Sequence, residues 1–370
     1  MKYYLVAGER SGDLHGSNLV EALSKLDEEA GFKGIGGELM RAAGMDLVID
    51  YSELAFMGFW EVFKNLLTIK KYLTKVKKDI LAFEPDALIL IDYPGFNLRL
   101  AKFAKKNGFK VFYYISPKIW AWNTKRVYNV KKSVDRVFCI LPFEKDFYQK
   151  YGVEVDYVGN PVVDAIKNHQ QDEEFALSNG LNPEKTIAVL PGSRKQEVRS
   201  YTSEIKETAR EMKDFTFAVS VVSNLPRSLY AELENEPNIK LIEGNTYDLL
   251  MNSNAAIVTS GTATLETAIL NVPQVVCYKM SPITYSIAKR VIKVPFISLV
   301  NLIMDKEVVT ELIQNELTVE NLASHLIEVS SDSAERRQMI QEYEQLRITL
   351  GTSNVSNTTA SKMYRLVMAG

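Results

Sequence analysis

The sequence predicts an α/β protein built from two doubly wound parallel-sheet domains. Three observations carry that expectation. Short apolar runs alternate with longer helix-forming stretches along the chain, the signature of a βα series. The runs are continuously hydrophobic rather than alternating, as strands buried on both faces are. Glycines, prolines and polar residues gather just after the runs: AGERSGD, GIGG, DYPGFN, SPKIWAW, LPGSR and TSGTATLE. In open α/β sheets that is where ligands bind.

In chain order, YYLVAG (3–8) reads as the first strand, with a helix from about Gly16 to Ala30. FKGIGG (32–37), ALILID (87–92), KVFYYIS (110–116) and DRVFCIL (135–141) read as further strands. The stretch 162–183 is largely polar and ends in Asn-Pro, a linker composition. A second series follows: TIAVLPGSR (186–194), FTFAVSVV (215–222), IKLIEG (239–244), AAIVTSG (255–261) and QVVCYKM (274–280). The division falls near residue 170, and two facing sheets would leave a cleft between domains. The tail from Ser333 to Gly370 reads as helical and charged.

The bulk numbers fit. A chain of 370 residues implies two domains at ~150 residues each. The net charge of −2 argues against wholesale nucleic-acid binding. Cys139 and Cys277 sit in apolar runs, which suits buried free thiols in a reducing compartment. His15, His169 and His325 are far apart and show no ligand spacing, so no metal is expected. No apolar h-region opens the chain and no run of ~18 apolar residues exists; the expected setting is cytoplasmic.

Four stretches carry chemistry. In TSGTATLETA (259–268), a strand enters Ser260, Gly261 and Thr262 and then a helix, whose N-terminal amides attract anions. Glu266 lies about one turn in, where it could accept from a ribose hydroxyl. A plain turn with a Ser/Thr cap is the alternative. In LPGSRKQEV (190–198), Ser193 can cap a helix, and the planar fork of Arg194 suits a diphosphate. AGERSGDLHG (7–16) offers Glu9, Ser11, Gly12 and Asp13, with Ser11 or Asp13 as a cap in the simpler reading. In ALILIDYPGFNL (87–98) the apolar run stops at Asp92, and Pro94 and Gly95 break it at once. Burying a carboxylate there costs free energy unless it is paired or used. A desolvated carboxylate has a raised pKa and can take a proton from a hydroxyl.

Residues 56–83 differ in character. Phe59, Val62, Phe63, Leu66, Leu67, Leu73, Val76 and Ile80 recur at helical spacing. Phe56, Met57, Phe59, Trp60 and Phe63 crowd eight positions. Lys64, Lys70, Lys71, Lys75, Lys77 and Lys78 face only Glu61 and Asp79, so residues 61–79 carry net +4. Such segments dock on anionic membranes or are core helices with a solvated face.

Together these residues resemble the lipid-A-disaccharide synthase family. The matching stretches are LVAGERSGD (5–13), ELAFMGFWEV (53–62), IDYPGFN (91–97), YYISPKIWAW (113–122), LPFEKDFYQKYGV (141–153), LPGSRKQEV (190–198), SGTATLE (260–266) and SLVNLI (298–303). The resemblance implies two facing Rossmann-like domains of the B-type glycosyltransferase architecture: 1–168 for the acceptor, 169–345 for the UDP-sugar, and 346–370 as a helix crossing back to the first. It implies an inverting transfer from UDP-2,3-diacylglucosamine to 2,3-diacylglucosamine 1-phosphate, giving the β(1→6) disaccharide 1-phosphate and UDP. Asp92 matches the family's essential aspartate and Glu9 the acid of its first motif. Arg194, Ser260, Thr262 and Glu266 match nucleotide-side motifs, and Asn301 the asparagine of the late segment.

The same resemblance makes Phe56, Met57, Phe59, Trp60, Phe63, Lys64, Lys70 and Lys71 the acyl-binding and docking surface on the inner membrane's cytoplasmic face. Family members can dimerise by exchanging C-terminal parts. No cofactor or metal is expected, since no Asp-x-Asp motif stands at a plausible strand end. The chain departs from the pattern at Gly95, where many relatives have Asp, at Asn160, where many have His, and at Val300, often Pro. Rival readings are a peptidoglycan-type N-acetylglucosaminyltransferase, a UDP-N-acetylglucosamine 2-epimerase, and a non-catalytic nucleotide-sugar-binding protein at the membrane surface.

Overall fold

A computed structural model describes residues 1–54, 66–222, 225–292, 294–351 and 354–369. Phe56, Met57, Phe59, Trp60, Phe63 and Lys64, expected at the docking surface, lie outside the described residues. The chain forms two compact units, Met1–Pro161 with Thr352–Gly370, and Val162–Gly351.

The first unit holds β1 (Lys2–Ala7), β2 (Gly31–Gly36), β3 (Asp46–Asp50), β4 (Ala87–Ile91), β5 (Lys110–Tyr114), β6 (Arg136–Cys139) and β7 (Val155–Tyr157). They run parallel in the order β3-β2-β1-β4-β5-β6-β7. The second unit holds β8 (Thr186–Leu190), β9 (Thr216–Val221), β10 (Ile239–Glu243), β11 (Ala255–Thr259), β12 (Gln274–Tyr278) and β13 (Thr310–Ile313). These too are parallel, ordered β10-β9-β8-β11-β12-β13. In each sheet the winding reverses once, between β1 and β4 and between β8 and β11. Such switch points leave a crevice at the strands' carboxyl ends.

The continuous apolar runs have a direct cause. Side chains alternate across a strand, and both faces of the first sheet are covered. Tyr4, Val6, Leu88, Leu90, Val111 and Tyr113 enter one core. Tyr3, Leu5, Ala87, Ile89, Phe112 and Tyr114 enter the other. The helix Leu66–Phe83 packs Leu73, Val76 and Ile80 into the first of these cores, so that part of its apolar stripe is core. Lys70, Lys71 and Lys78 are exposed.

The helix after β1 spans Arg10–Ser24, six residues ahead of its expected start. The edge strands β3, β7 and β13 were not legible in the sequence. They are short and only partly buried, so they lack the continuous apolar signal. The charged tail is two helices, Ala334–Leu350 and Val355–Met368. Val355, Ala360 and Met363 of the second complete the core on one face of the first sheet. Lys362 pairs with Asp156 at 2.7 Å. Cys139 and Cys277 are buried and free.

Candidate functional site

In the first unit, Glu9 and Asp92 follow β1 and β4, the two strands flanking the switch point. Glu9 is exposed and occupies the N-cap position of its helix with no side-chain cap bond, so its carboxylate is free to face outward. Asp13 caps neither its own helix nor a ligand. Its buried carboxylate accepts from the amides of Gly37 (2.6 Å), Leu39 (3.2 Å) and Met40 (3.1 Å), holding the start of the next helix, Glu38–Ala42.

Asp92 is partly buried, and its carboxyl is pushed up to about 6 by burial and then by the charge of Glu9; Lys118 opposes the rise. Lys118 gave no signal of its own in the sequence. It reaches the site because β5 pairs in register beside β4 (Ile91 opposite Tyr114). Asp92 and Tyr93 both hold positive φ, 43° and 48°, and Ile115 at the end of β5 holds 59°. Non-glycine residues there cost ~1–2 kcal/mol each, so strain collects at adjacent strand ends, as it does at functional sites. Gly8 completes the turn: a Cβ there would lie 2.4 Å from the Tyr93 ring, whereas one at Gly95 would meet nothing within 4 Å. Glycine at position 95 is therefore not a steric demand.

The SPKIWAW loop is anchored by a residue that the sequence reading passed over. Glu144 is 1% exposed. It accepts from Ser116 Oγ (2.6 Å), Trp120 Nε1 (2.9 Å) and the Leu141 amide (3.2 Å). Ser116 and Trp120 flank Lys118, so one buried carboxyl shapes the loop on both sides of that cation.

In the second unit, β8 ends in a turn at Gly192, φ 101°, where a Cβ would lie 2.4 Å from Glu197 Oε2. Ser193 does not cap the helix. The amides of Ser193 and Arg194 donate to Glu197 Oε2 (3.0 and 3.2 Å), and Arg194 Nη1 donates to Glu197 Oε1 at 3.3 Å. The Arg194 side chain is 67% exposed. At β11, the helix Thr262–Ile269 starts at Gly261 without a side-chain cap, which leaves first-turn amides for an anion. Ser260 is not that cap either, since its hydroxyl donates to the Ile297 carbonyl at 2.7 Å. Thr262 is exposed. Glu266 accepts from Tyr247 OH at 3.2 Å, and burial raises its carboxyl above the usual range.

Asn301, expected on the nucleotide side, is fully buried. Its Nδ2 donates to Val309 O (2.8 Å) and Glu311 Oε1 (2.9 Å), and its Oδ1 accepts from the amides of Val308 (2.8 Å) and Val309 (2.9 Å). All of its hydrogen-bonding capacity is spent inside the protein. Its work is to shape the segment that also holds Ser260.

A family model described as lipid-A-disaccharide synthetase matches residues 3–365. A lipid-A-disaccharide synthase of Trichlorobacter lovleyi is 40% identical, covering 98% of this chain and 97% of the relative. That of Syntrophus aciditrophicus is 38% identical over 98% and 97%. Among solved structures, UDP-GlcNAc 2-epimerase from Neisseria meningitidis bound to UDP-GlcNAc aligns at TM-score 0.71 and 13% identity, covering 99% of this chain and 100% of that one. The glycotransferase of kitacinnamycin aligns at 0.69 and 13%, covering 99% of each. At such identities the structural likeness speaks for the fold alone.

Proposed function

The chain belongs to the lipid-A-disaccharide synthase family, and from that premise we propose that it joins UDP-2,3-diacylglucosamine to 2,3-diacylglucosamine 1-phosphate with inversion. The observation that carries the reaction is Asp92, a carboxylate at a switch point held near 6. It is poised to be ionised at neutral pH and still basic enough to accept a proton. Asp92 takes the proton of the acceptor's 6-hydroxyl as that oxygen attacks the donor's anomeric carbon from the face opposite UDP. The bond to the diphosphate breaks, the β(1→6) linkage forms and UDP departs. Burial, and then the charge of Glu9, keeps the Asp92 carboxyl high.

Arg194, Ser193 and the uncapped turn at Gly261 and Thr262 support binding of the diphosphate, and Glu266 a ribose hydroxyl. Charge developing on the departing UDP is met by Arg194 and the helix amides, so no divalent cation is required. Among the described residues no helix is long and apolar enough to cross a membrane. The exposed Lys70, Lys71 and Lys78 support docking on an anionic surface, each contributing roughly 1 kcal/mol there. The membrane surface we propose is the cytoplasmic face of the inner membrane.

The test is UDP release from UDP-2,3-diacylglucosamine with and without the monosaccharide 1-phosphate acceptor, each with and without EDTA. Acceptor-dependent release unchanged by EDTA is expected. Release without acceptor would favour an epimerase or hydrolase, and loss with EDTA would overturn the metal-free step. A second expected result concerns Lys118. Lys118→Met removes the cation opposing Asp92's raised pKa, so the acid limb of the pH–rate profile moves to higher pH and Lys118→Arg restores it. An unmoved limb would show that Lys118 does not act on the base.

A further inference from the structure

We propose that Asn97 and Tyr113 are positioning residues for Asp92, which lock the strained peptide carrying that side chain. The proposal rests on the reading of Asp92 as the base. Asn97 is 0% exposed and sits in the first turn of the helix Pro94–Lys106. One amide nitrogen, Nδ2, meets three carbonyls: Asp92 O at 2.7 Å, Ile91 O at 3.2 Å and Val6 O at 3.3 Å. Those oxygens belong to the ends of β1 and β4, so one side chain ties both strands of the switch point together. Three acceptors dictate the amide's orientation, even though its Oδ1 is then buried without a partner. Leaving a buried acceptor unsatisfied is unfavourable, which marks the three-carbonyl clamp as the demand that wins.

Tyr113, on β5, adds a second donor. Its hydroxyl reaches the same Asp92 carbonyl at 2.6 Å, and its ring is fully buried in the core. With both donors pulling the carbonyl inward, residue 92 stays at φ 43° and Tyr93 at φ 48°. An unrestrained Asp would relax to negative φ, and its carboxylate would leave the neighbourhood of Glu9 and Lys118. The clamp therefore acts on the geometry of the base rather than on the ligand directly.

The experiment uses the full-length protein. Tyr113→Phe deletes one hydroxyl and leaves the ring in the core, and Asn97→Ala removes the other donor. For each, kcat, donor KM, the melting curve and the titration of Asp92 are measured; the titration is followed by NMR of labelled aspartate and assigned by its loss in Asp92→Asn. The expected result is a kcat about ten-fold lower for Tyr113→Phe with donor KM unchanged, and an Asp92 titration moved toward the ordinary carboxylate range. In an Asp92→Asn background the same change has no further effect on kcat, as for groups acting as one unit. An unchanged kcat and titration in both folded variants, or an equal fold-loss in both backgrounds, would overturn the proposal. If wild type releases no UDP, the reading of the reaction has failed, and the clamp is judged on the titration alone.

Discussion

Asp92→Asn is expected to lower turnover by about 10²–10⁴-fold, the usual worth of a positioned general base, while donor KM stays within about two-fold of wild type. The amide is nearly isosteric, so the loss reports basicity. In wild type the rate falls as pH drops through about 6, where burial and Glu9 hold the carboxyl. The stability effect has the opposite sign to the activity effect. A carboxyl raised in the fold favours folding below its unfolded pKa of ~4, and that contribution is lost as pH rises through the folded value. At neutral pH the ionised Asp92 thus destabilises the protein, by an amount on the order of 1–3 kcal/mol. The asparagine variant should be more stable than wild type by that margin at pH 7, and the difference should vanish in acid. Kinetics and urea melts across pH check both halves. A loss of less than ten-fold would remove Asp92 as the base.

Glu144→Ala should carry the largest stability cost, about 3–5 kcal/mol, because three donors lose one acceptor in a dry site. Ser116 Oγ, Trp120 Nε1 and the Leu141 amide would all be left unpaired. The loop holding Lys118 would lose its anchor on both sides, so activity should fall with stability. Glu144→Gln keeps an acceptor for two of the donors and should cost less. Urea midpoints measure the first effect and the near-UV signal of Trp120 the second. A cost under ~1 kcal/mol would mean the donors find water instead.

Much of this was legible in the sequence. Central strands such as ALILI announce themselves because both faces are buried. Asp92 announces itself because a charged residue ends such a run. Three of the four edge strands, β3, β7 and β13, did not, since partial exposure dilutes the apolar pattern that marks a strand. Within the candidate site the sequence did not reveal which partner each polar side chain takes. Asp13 and Glu9 stand four residues apart in one motif, yet Asp13 is consumed by amides at Gly37, Leu39 and Met40 while Glu9 stays exposed. Ser260 and Thr262 divide the same way, the first spent on Ile297 and the second exposed.

The α/β class, the two βα series and the kinship of the chain could be read from the sequence, because hydrophobic period and motif order are local or linear properties. Only the tertiary structure decided which polar residues are scaffold and which face outward. Asn301 was drawn inward by Val308, Val309 and Glu311. Lys118, Asn97 and Tyr113 were brought to Asp92 by strand pairing and helix packing. Hydrogen-bond satisfaction is a property of the packed interior, and strand order, which no local pattern encodes, sets who meets whom there.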